Sequence, residues 1–274
     1  HSRKFLPPSN MLHVICHAFA PPGLELYAKL LRHQLSALLR WPPKHPVMYW
    51  LCYALDDPVV LRVCEHFWWR VVLNENISII PHGTTRDRLY RRCVLRNEIL
   101  SNLDDTALGA WCADVDFIWG PGALDAVSEL ALQGKLPPLS TPRGYQLQKR
   151  HELGDALLAN TSAHPPFDDE IKPPRQEDFM WEKHRKPLGG LMILNAATAR
   201  EGYLPNSRWQ QPDQELEGFT SFIDDVHFRK EQRRKGREWE RIDIPHLYRL
   251  RHSRSSMNPE GLPENFRGSG RTSV

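Results

Sequence analysis

The feature that most constrains the fold of this chain is the regular alternation of strand-like and helix-like segments in its first half. The apolar run MLHVICHAFA is followed by LELYAKLLRHQLSALLR, in which leucines recur at helical spacing. The strand-like PVMYWLCYAL, the helical DPVVLRVCEHFWWRVV and the strand-like ISIIP continue the order. This alternation predicts an α/β fold with a Rossmann-like, mixed and mostly parallel sheet flanked by helices.

The rest of the chain extends the pattern less regularly. We expect a helix over RLYRRCVLRNEILSNL, a fourth strand over LGAWCADVDFIW, a helix over PGALDAVSELALQG and a strand over GDALLANTS. Residues 163–188 are rich in proline and charge, which predicts a long loop. Further on, GGLMILNAATA predicts a buried strand entering a helix, TSFIDDVHFRKEQRRKG a helix, and WERIDIPHLYRLRH a last strand.

Composition limits the classes of function. The 36 basic and 33 acidic residues give a net charge of +3, which argues against a surface that binds nucleic acid over its whole extent. No apolar run reaches the roughly 18 residues of a membrane span. The five cysteines lie inside apolar segments without a C-x-x-C pair, which favours buried free thiols. We expect a single domain over residues 1–254 and a flexible polar tail over 255–274.

The strongest local feature is the pair Asp114 and Asp116 at the end of the predicted fourth strand. Strand alternation predicts that both carboxylates lie on the same side. Buried carboxylates need cations, hydrogen-bond donors or solvent, and a divalent ion such as Mg²⁺ or Mn²⁺ meets this need with oxygen ligands. The alternative is that the two acids cap the following helix or face water.

Around this pair, the sequence resembles glycosyltransferases of the GT-A fold. The helix RCVLRNEIL over 92–100 contains an R-N pair, and a tryptophan-led D-x-D strand end, WCADVD, follows over 111–116. This arrangement is most similar to the fungal Golgi α-mannosyltransferases of the mannan-polymerase type, and family-2-like glycosyltransferases share a looser version.

Motifs of the second half follow in the same order as in these two groups. Counterparts in both groups exist for GGLMIL over 189–194, for the pair Ile244 and Pro245, and for His252. The segment ELEGF over 215–219 resembles the fungal mannosyltransferases, and Asp224 and Asp225 followed by Gly236 resemble family 2. The ordered pieces of the resemblance cover roughly residues 80–254. The chain departs from the pattern at Asp224, where family 2 has Glu, and in a longer stretch between Gly218 and Gly236.

The resemblance implies a role for each site residue. It implies metal ligands at Asp114, Asp116 and His252, donor contacts at Asp114, Arg92, Arg96 and Asn97, a general base at Asp225 with Glu217 as the rival, and acceptor stacking at Trp181 and Trp209. Each role has a structural alternative. His252 fits a solvated histidine in a basic stretch, the arginines fit a solvated helix face, the acids fit a helix N-terminus, and the tryptophans fit packing anchors.

The resulting prediction is a GT-A-like, metal-dependent glycosyltransferase that uses Mn²⁺ or Mg²⁺. The predicted enzyme transfers a hexose from a GDP- or UDP-sugar to a hydroxyl acceptor such as a glycan, and mannose is the first candidate for the hexose. Residues 1–160 then form the nucleotide-sugar half and 161–254 the acceptor half. The rivals are a transferase that modifies a DNA base, with the basic run at 229–237 and the tail holding phosphates, and an inactive partner subunit of a homo- or hetero-oligomer. For location, the Golgi lumen is the first expectation and the cytoplasm the second.

Overall fold

A computed structural model describes residues 10–18, 25–71, 74–167, 171–187, 189–204 and 223–253. The strands are β1 (Leu12–Ala18), β2 (Val47–Ala54), β3 (Ile77–Thr84), β4 (Gly109–Asp114), β5 (Phe117–Trp119), β6 (Leu139–Pro142), β7 (Gly144–Gln148), β8 (Phe179–Lys183), β9 (Leu191–Asn195), β10 (Trp239–Ile242) and β11 (Leu247–Arg249). The helices are α1 (Leu26–Arg40), α2 (Pro58–Val71), α3 (Arg86–Tyr90), α4 (Arg92–Leu100), α5 (Ala123–Leu132), α6 (His151–Ala159), α7 (Ala196–Arg200) and α8 (Ile223–Arg234). A short 3₁₀ helix covers Gln176–Asp178.

The main sheet has seven strands in the order β3-β2-β1-β4-β9-β6-β10. Strand β9 is antiparallel to both of its neighbours, whereas the other pairs are parallel. The prediction of an α/β fold with a mixed, mostly parallel sheet is therefore confirmed. A second sheet of four strands has the order β5-β11-β7-β8.

Both faces of the main sheet are covered by apolar side chains, as expected for strands of a doubly covered sheet. In β1, Leu12, Val14 and Cys16 enter one core, which α1, α2 and α5 complete. Ile15 enters a second core on the opposite face, to which α4, α7 and α8 contribute. The period-2 alternation of the strand thus supplies both cores.

The structure corrects the predicted elements in the middle of the chain. The part GDALLA of the predicted strand GDALLANTS belongs to a helix, α6, in which Gly154 and Leu158 are buried at i and i+4 and only one side packs. The predicted loop over 163–188 contains the strand β8. Strands β6 and β7 were not predicted, since each is short and carries polar residues.

Three predicted single elements are interrupted in the structure. The helix after β3 breaks at Arg91 into α3 and α4. The predicted fourth strand turns at Val115 and Asp116, so that its second part becomes β5 in the other sheet. The predicted last strand divides into β10 and β11, one in each sheet. Each of the two strand breaks allows one continuous segment to serve both sheets, whereas α3 and α4 both pack into the second core.

The cysteines and the helices can be compared with the expectations from composition. All five cysteines, each in the described part of the chain, are buried and form no disulfide bond. In the same described ranges, no helix has the length and apolar character that crossing a bilayer requires.

Candidate functional site

The topology points to one position on the edge of the main sheet. Strand β1 lies between β2 and β4, so the chain proceeds to one side of β1 for β2 and β3 and then crosses to its other side for β4. Ligands of open α/β sheets bind outside the carboxyl ends of strands at such a reversal. His17 at the end of β1 and Asp114 at the end of β4 are register partners there.

The two predicted acids stand on either side of a tight turn at this edge. Asp114 ends β4, and its Oδ1 accepts a hydrogen bond from Nη1 of Arg92 at 3.2 Å. Asp116 lies in the turn, and its Oδ2 accepts from Nε of Arg249 at 2.9 Å. The expectation that both acids project from one continuous strand is wrong, because the strand ends at Asp114. The acids face different arginines on different layers.

Behind Asp114 lies a buried network of charges that joins α4 to α8. The Asp225 Oδ1 atom accepts from Nη1 of Arg96 at 3.1 Å and from the hydroxyl of Tyr203 at 2.8 Å. Nη2 of Arg92 lies 3.6 Å from Asp225 Oδ2 and 3.7 Å from Asp224 Oδ1. Two arginines therefore lie among three carboxyl groups, those of Asp114, Asp224 and Asp225, and compensate part of their charge.

Two glycines make room for this network. A Cβ atom added at Gly190 would lie 2.4 Å from Oδ2 of Asp114, and one added at Gly189 would lie 2.6 Å from Oδ2 of Asp225. The carbonyl oxygen of Gly189 also accepts from Nη2 of Arg96 at 2.7 Å. The Gly-Gly pair is thus explained by the close approach of its backbone to the acids on two elements.

Burial changes the protonation of several groups near this edge. Burial and the neighbouring Asp225 raise the pKa of Asp224 to about 6. Burial, followed by Arg96 and Arg92, lowers the pKa of His17 well below its ordinary value. Burial lowers the pKa of His252 as well. Both imidazoles are therefore neutral at pH 7, the form in which a histidine binds a metal ion.

Two buried atoms in this region could each offer a lone pair to a metal ion. Asp116 Oδ1 and His252 Nδ1 find no hydrogen-bond partner among the described residues. His252 lies within electrostatic range of Asp116. Carboxylate oxygens suit Mg²⁺ and Mn²⁺, and a neutral imidazole completes a set that Mn²⁺ accepts. The residues fit a divalent ion chemically, although the described residues contain no group of three His, Cys, Asp or Glu side chains already gathered as a metal cluster.

The other predicted site residues differ in their burial and in their contacts. Arg96 is fully buried within the charge network, so it faces the protein interior. Oδ1 of Asn97 accepts from the backbone N–H of Tyr203 at 3.2 Å, which ties α4 to the segment after α7. Trp181 is 53% exposed on the edge strand β8 and packs over Gly144. Glu217 and Trp209 lie outside the described residues.

Three residues of this region were missed by sequence reasoning. Arg249 pairs with Asp116, Tyr203 donates to Asp225, and Gln34 of α1 donates to carbonyl groups of the turn. Gln34 had a detectable signal, because it is a polar residue within the otherwise apolar stripe of a helix. No local pattern marks the other two, whose partners are distant in sequence.

Comparisons with known proteins give a distant likeness only. No protein-family model matches the chain, and no curated protein matches it. Among solved structures, it is similar to the apo crystal structure of mouse xyloside xylosyltransferase 1, with a TM-score of 0.40 and 15% sequence identity. The alignment covers 85% of this chain and 84% of that chain. At this TM-score, the function proposed below depends on the geometry of the site.

Proposed function

We propose that this chain is a metal-dependent glycosyltransferase that transfers a hexose from a nucleotide diphosphate sugar to a hydroxyl acceptor. The observation that carries the proposal is the position of Asp114 and Asp116 at the strand reversal of the main sheet. This edge is where an α/β sheet binds a nucleotide, and two acids there suit a cation that neutralises a diphosphate. The resemblance of the surrounding motifs to GT-A enzymes supports the same reaction and makes mannose the first sugar to test.

The roles of the turn residues follow from their surroundings. Asp114, whose side chain is 38% exposed, and the unpartnered Oδ1 of Asp116 would hold Mn²⁺ or Mg²⁺, with neutral His252 as a third ligand. The ion would supply Lewis acidity that stabilises the diphosphate leaving group. Arg92 and Arg249 orient the two acids through charge-assisted hydrogen bonds before any ligand arrives.

The proposed acceptor residues lie on α8 and β8. Asp225 is the proposed general base and Glu217 its rival, as the motif resemblance implies. Within the described residues Asp225 is 4% exposed, and its Oδ1 is held by Arg96 and Tyr203. These contacts give Asp225 a second task, which is to anchor α8 against α4. As a base it would use Oδ2, the oxygen on the Arg92 side. Trp181, exposed on β8, is the proposed platform for a sugar face.

A thermal-shift panel of GDP- and UDP-sugars, each with and without Mn²⁺, tests the proposal. A ligand present at about 100 times its Kd stabilises the folded state by about 2.7 kcal/mol, so a true donor raises the Tm of the wild type. Asp116→Asn keeps the size of the side chain and removes its charge, and we expect it to abolish the Mn²⁺-dependent part of the shift.

Asp105→Asn is the matched control, because Asp105 is a fully exposed acid. It precedes Gly109, the first residue of β4, whereas Asp114 is the last residue of that strand. We expect the shifts of Asp105→Asn to equal those of the wild type. Absence of any shift in the wild type would refute the glycosyltransferase, whereas equal shifts in Asp116→Asn would remove only the metal role of Asp116.

A further inference from the structure

The side chain of Gln34 lies directly behind the turn that carries Asp114 and Asp116. Gln34 belongs to α1, is fully buried, and reaches the turn from the face of the main sheet opposite α4. Its amide nitrogen donates to the carbonyl oxygen of Asp114 at 3.0 Å and to that of Phe117 at 2.8 Å. One side chain thus bridges the last residue of β4 and the first residue of β5.

The opposite end of the Gln34 amide is equally engaged. Its Oε1 accepts from the hydroxyl of Tyr49 and from the thiol of Cys16, the latter at 3.3 Å. Burial raises the pKa of Cys16 to about 12 and that of Tyr49 well above its ordinary value, so both groups keep their protons and act as donors.

These four partners determine the orientation of the amide. A rotation by 180° would place the oxygen against two carbonyl oxygens and the nitrogen against two donors, which would cost four buried hydrogen bonds. Asn, Ser or Thr is too short to replace all four contacts, and an apolar residue leaves every partner unsatisfied. The polar residue in an apolar helical stripe is therefore explained by the turn it holds.

We infer that Gln34 is a positioning residue, which holds the turn so that Asp114 and Asp116 present their carboxylates at the separation that donor binding requires. This inference rests on the proposed function. Gln34 makes its contacts through backbone carbonyls of the turn and touches neither carboxylate, so its effect on a ligand is indirect. Groups that orient metal-binding residues in this way typically contribute about 10- to 100-fold to affinity.

The test compares Gln34→Met, which has a similar length and no amide, with Leu35→Ala, which weakens the packing of the same buried helix without removing a hydrogen bond. The first readout is hydrogen exchange of a peptide covering residues 113–118. We expect faster exchange in Gln34→Met than in Leu35→Ala. Equal exchange in the two variants would overturn the inference. If Gln34→Met does not fold, Gln34→Glu enters the same comparison, because it keeps the shape of the side chain but has at most one O–H donor in place of the two N–H donors of the amide.

The second readout is the Kd of GDP or UDP in the presence of Mn²⁺, measured by calorimetry. We expect the Kd to rise about tenfold or more in Gln34→Met and to stay near the wild-type value in Leu35→Ala. Faster exchange with an unchanged Kd would overturn the positioning role. Absence of binding in the wild type would refute the proposed function and the donor role together, and the exchange readout would still show whether Gln34 holds the turn.

Discussion

Two adjacent acids at the start of α8 have different surroundings. Asp225 receives hydrogen bonds from Arg96 and Tyr203, whereas Oδ2 of Asp224 is buried and has no hydrogen-bond partner among the described residues. Oδ1 of Asp224 accepts from the backbone N–H of Asp225 at 2.8 Å. The asymmetry explains why burial and the charge of its neighbour raise the pKa of Asp224 to about 6.

The raised pKa predicts how stability depends on pH. The folded protein binds the Asp224 proton more tightly than the unfolded chain does. The resulting stabilisation is complete below about pH 4, the region of the ordinary pKa of an aspartate, and is lost as the pH rises through about 6. Asp224→Asn cannot ionise, so we expect it to gain on the wild type by on the order of 2 kcal/mol between pH 4.5 and 7.5.

Urea unfolding of the two proteins across this range measures the difference in free energy of unfolding. Asp105→Asn, at an exposed acid, provides the control and should give a nearly constant difference from the wild type. A difference between Asp224→Asn and the wild type that is independent of pH would contradict the assignment.

At the scale of elements, α4 connects the second core to the site through Arg96. Arg96 bonds the carbonyl of Gly189 before β9 and the hydroxyl of Tyr203 after α7, and its guanidinium lies 5.1 Å from the centroid of the Tyr203 ring. The Tyr203 ring stacks on Phe228 of α8 at 4.5 Å. A single arginine therefore connects four segments that are separated in sequence.

Replacing this arginine is expected to leave Asp225 buried without its main partner. Arg96→Met should lower the free energy of unfolding by about 3–5 kcal/mol, the usual cost of breaking a buried ion pair. The control is Arg88→Met in α3, since Arg88 pairs with Glu98 at an exposed position and such a pair contributes about 0–1 kcal/mol.

Chemical denaturation of both variants checks the difference, and Arg96→Met combined with Asp225→Asn should recover part of the loss. Equal and small losses for Arg96→Met and Arg88→Met would show that the network does not hold α4 in place.

At the scale of the whole molecule, the distribution of charge bears on the DNA-modifying alternative. The basic run at the end of α8 is largely paired with nearby acids. Lys235 and Arg237 bond Glu201, Arg234 pairs with Glu231, and Arg233 pairs with Glu238. The net charge is only +3 and this run is compensated, so the described part of the chain offers no large uncompensated basic surface of the kind that the DNA-modifying alternative needs.

We therefore expect weak DNA binding that does not depend on the basic run. Replacing both Arg233 and Arg234 by alanine should leave the affinity for a DNA duplex at low salt within about twofold of the wild type, because compensated charges release few counterions. Fluorescence anisotropy at two salt concentrations measures this. Tight, salt-sensitive binding that the double variant loses would instead support the nucleic-acid alternative.

Much of the fold was predictable because its periodic signals are local. The segments of β1, α1, β2 and α2 were predicted close to their observed bounds, since each buries a face or both faces through a pattern of its own residues. The helix α6 and the strands β6 and β7 escaped this reasoning. They are short, and packing against other elements selects their conformation.

The candidate site was predictable in part for the same reason. Asp114 and Asp116 stand out as acids in an apolar strand segment, and a local pattern suffices to find them. Arg249 lies 133 residues from Asp116 in sequence, and Gln34 lies 80 residues from Asp114. Gln34 stands out as a polar residue in an apolar helical stripe, but the sequence near either residue does not identify its partner.

The sequence by itself determined the alternating strands and helices of the first half, which of their faces are apolar, and that two acids lie where an apolar segment ends. Only the tertiary structure decided that this segment turns between two sheets, that Arg92 pairs with Asp114 and Arg249 with Asp116, and that Gln34 hydrogen-bonds the backbone of the turn. The reason is physical. Side-chain periodicity depends on residues a few positions apart, whereas the partner of a buried charge depends on strand order and on the connections that bring distant segments together.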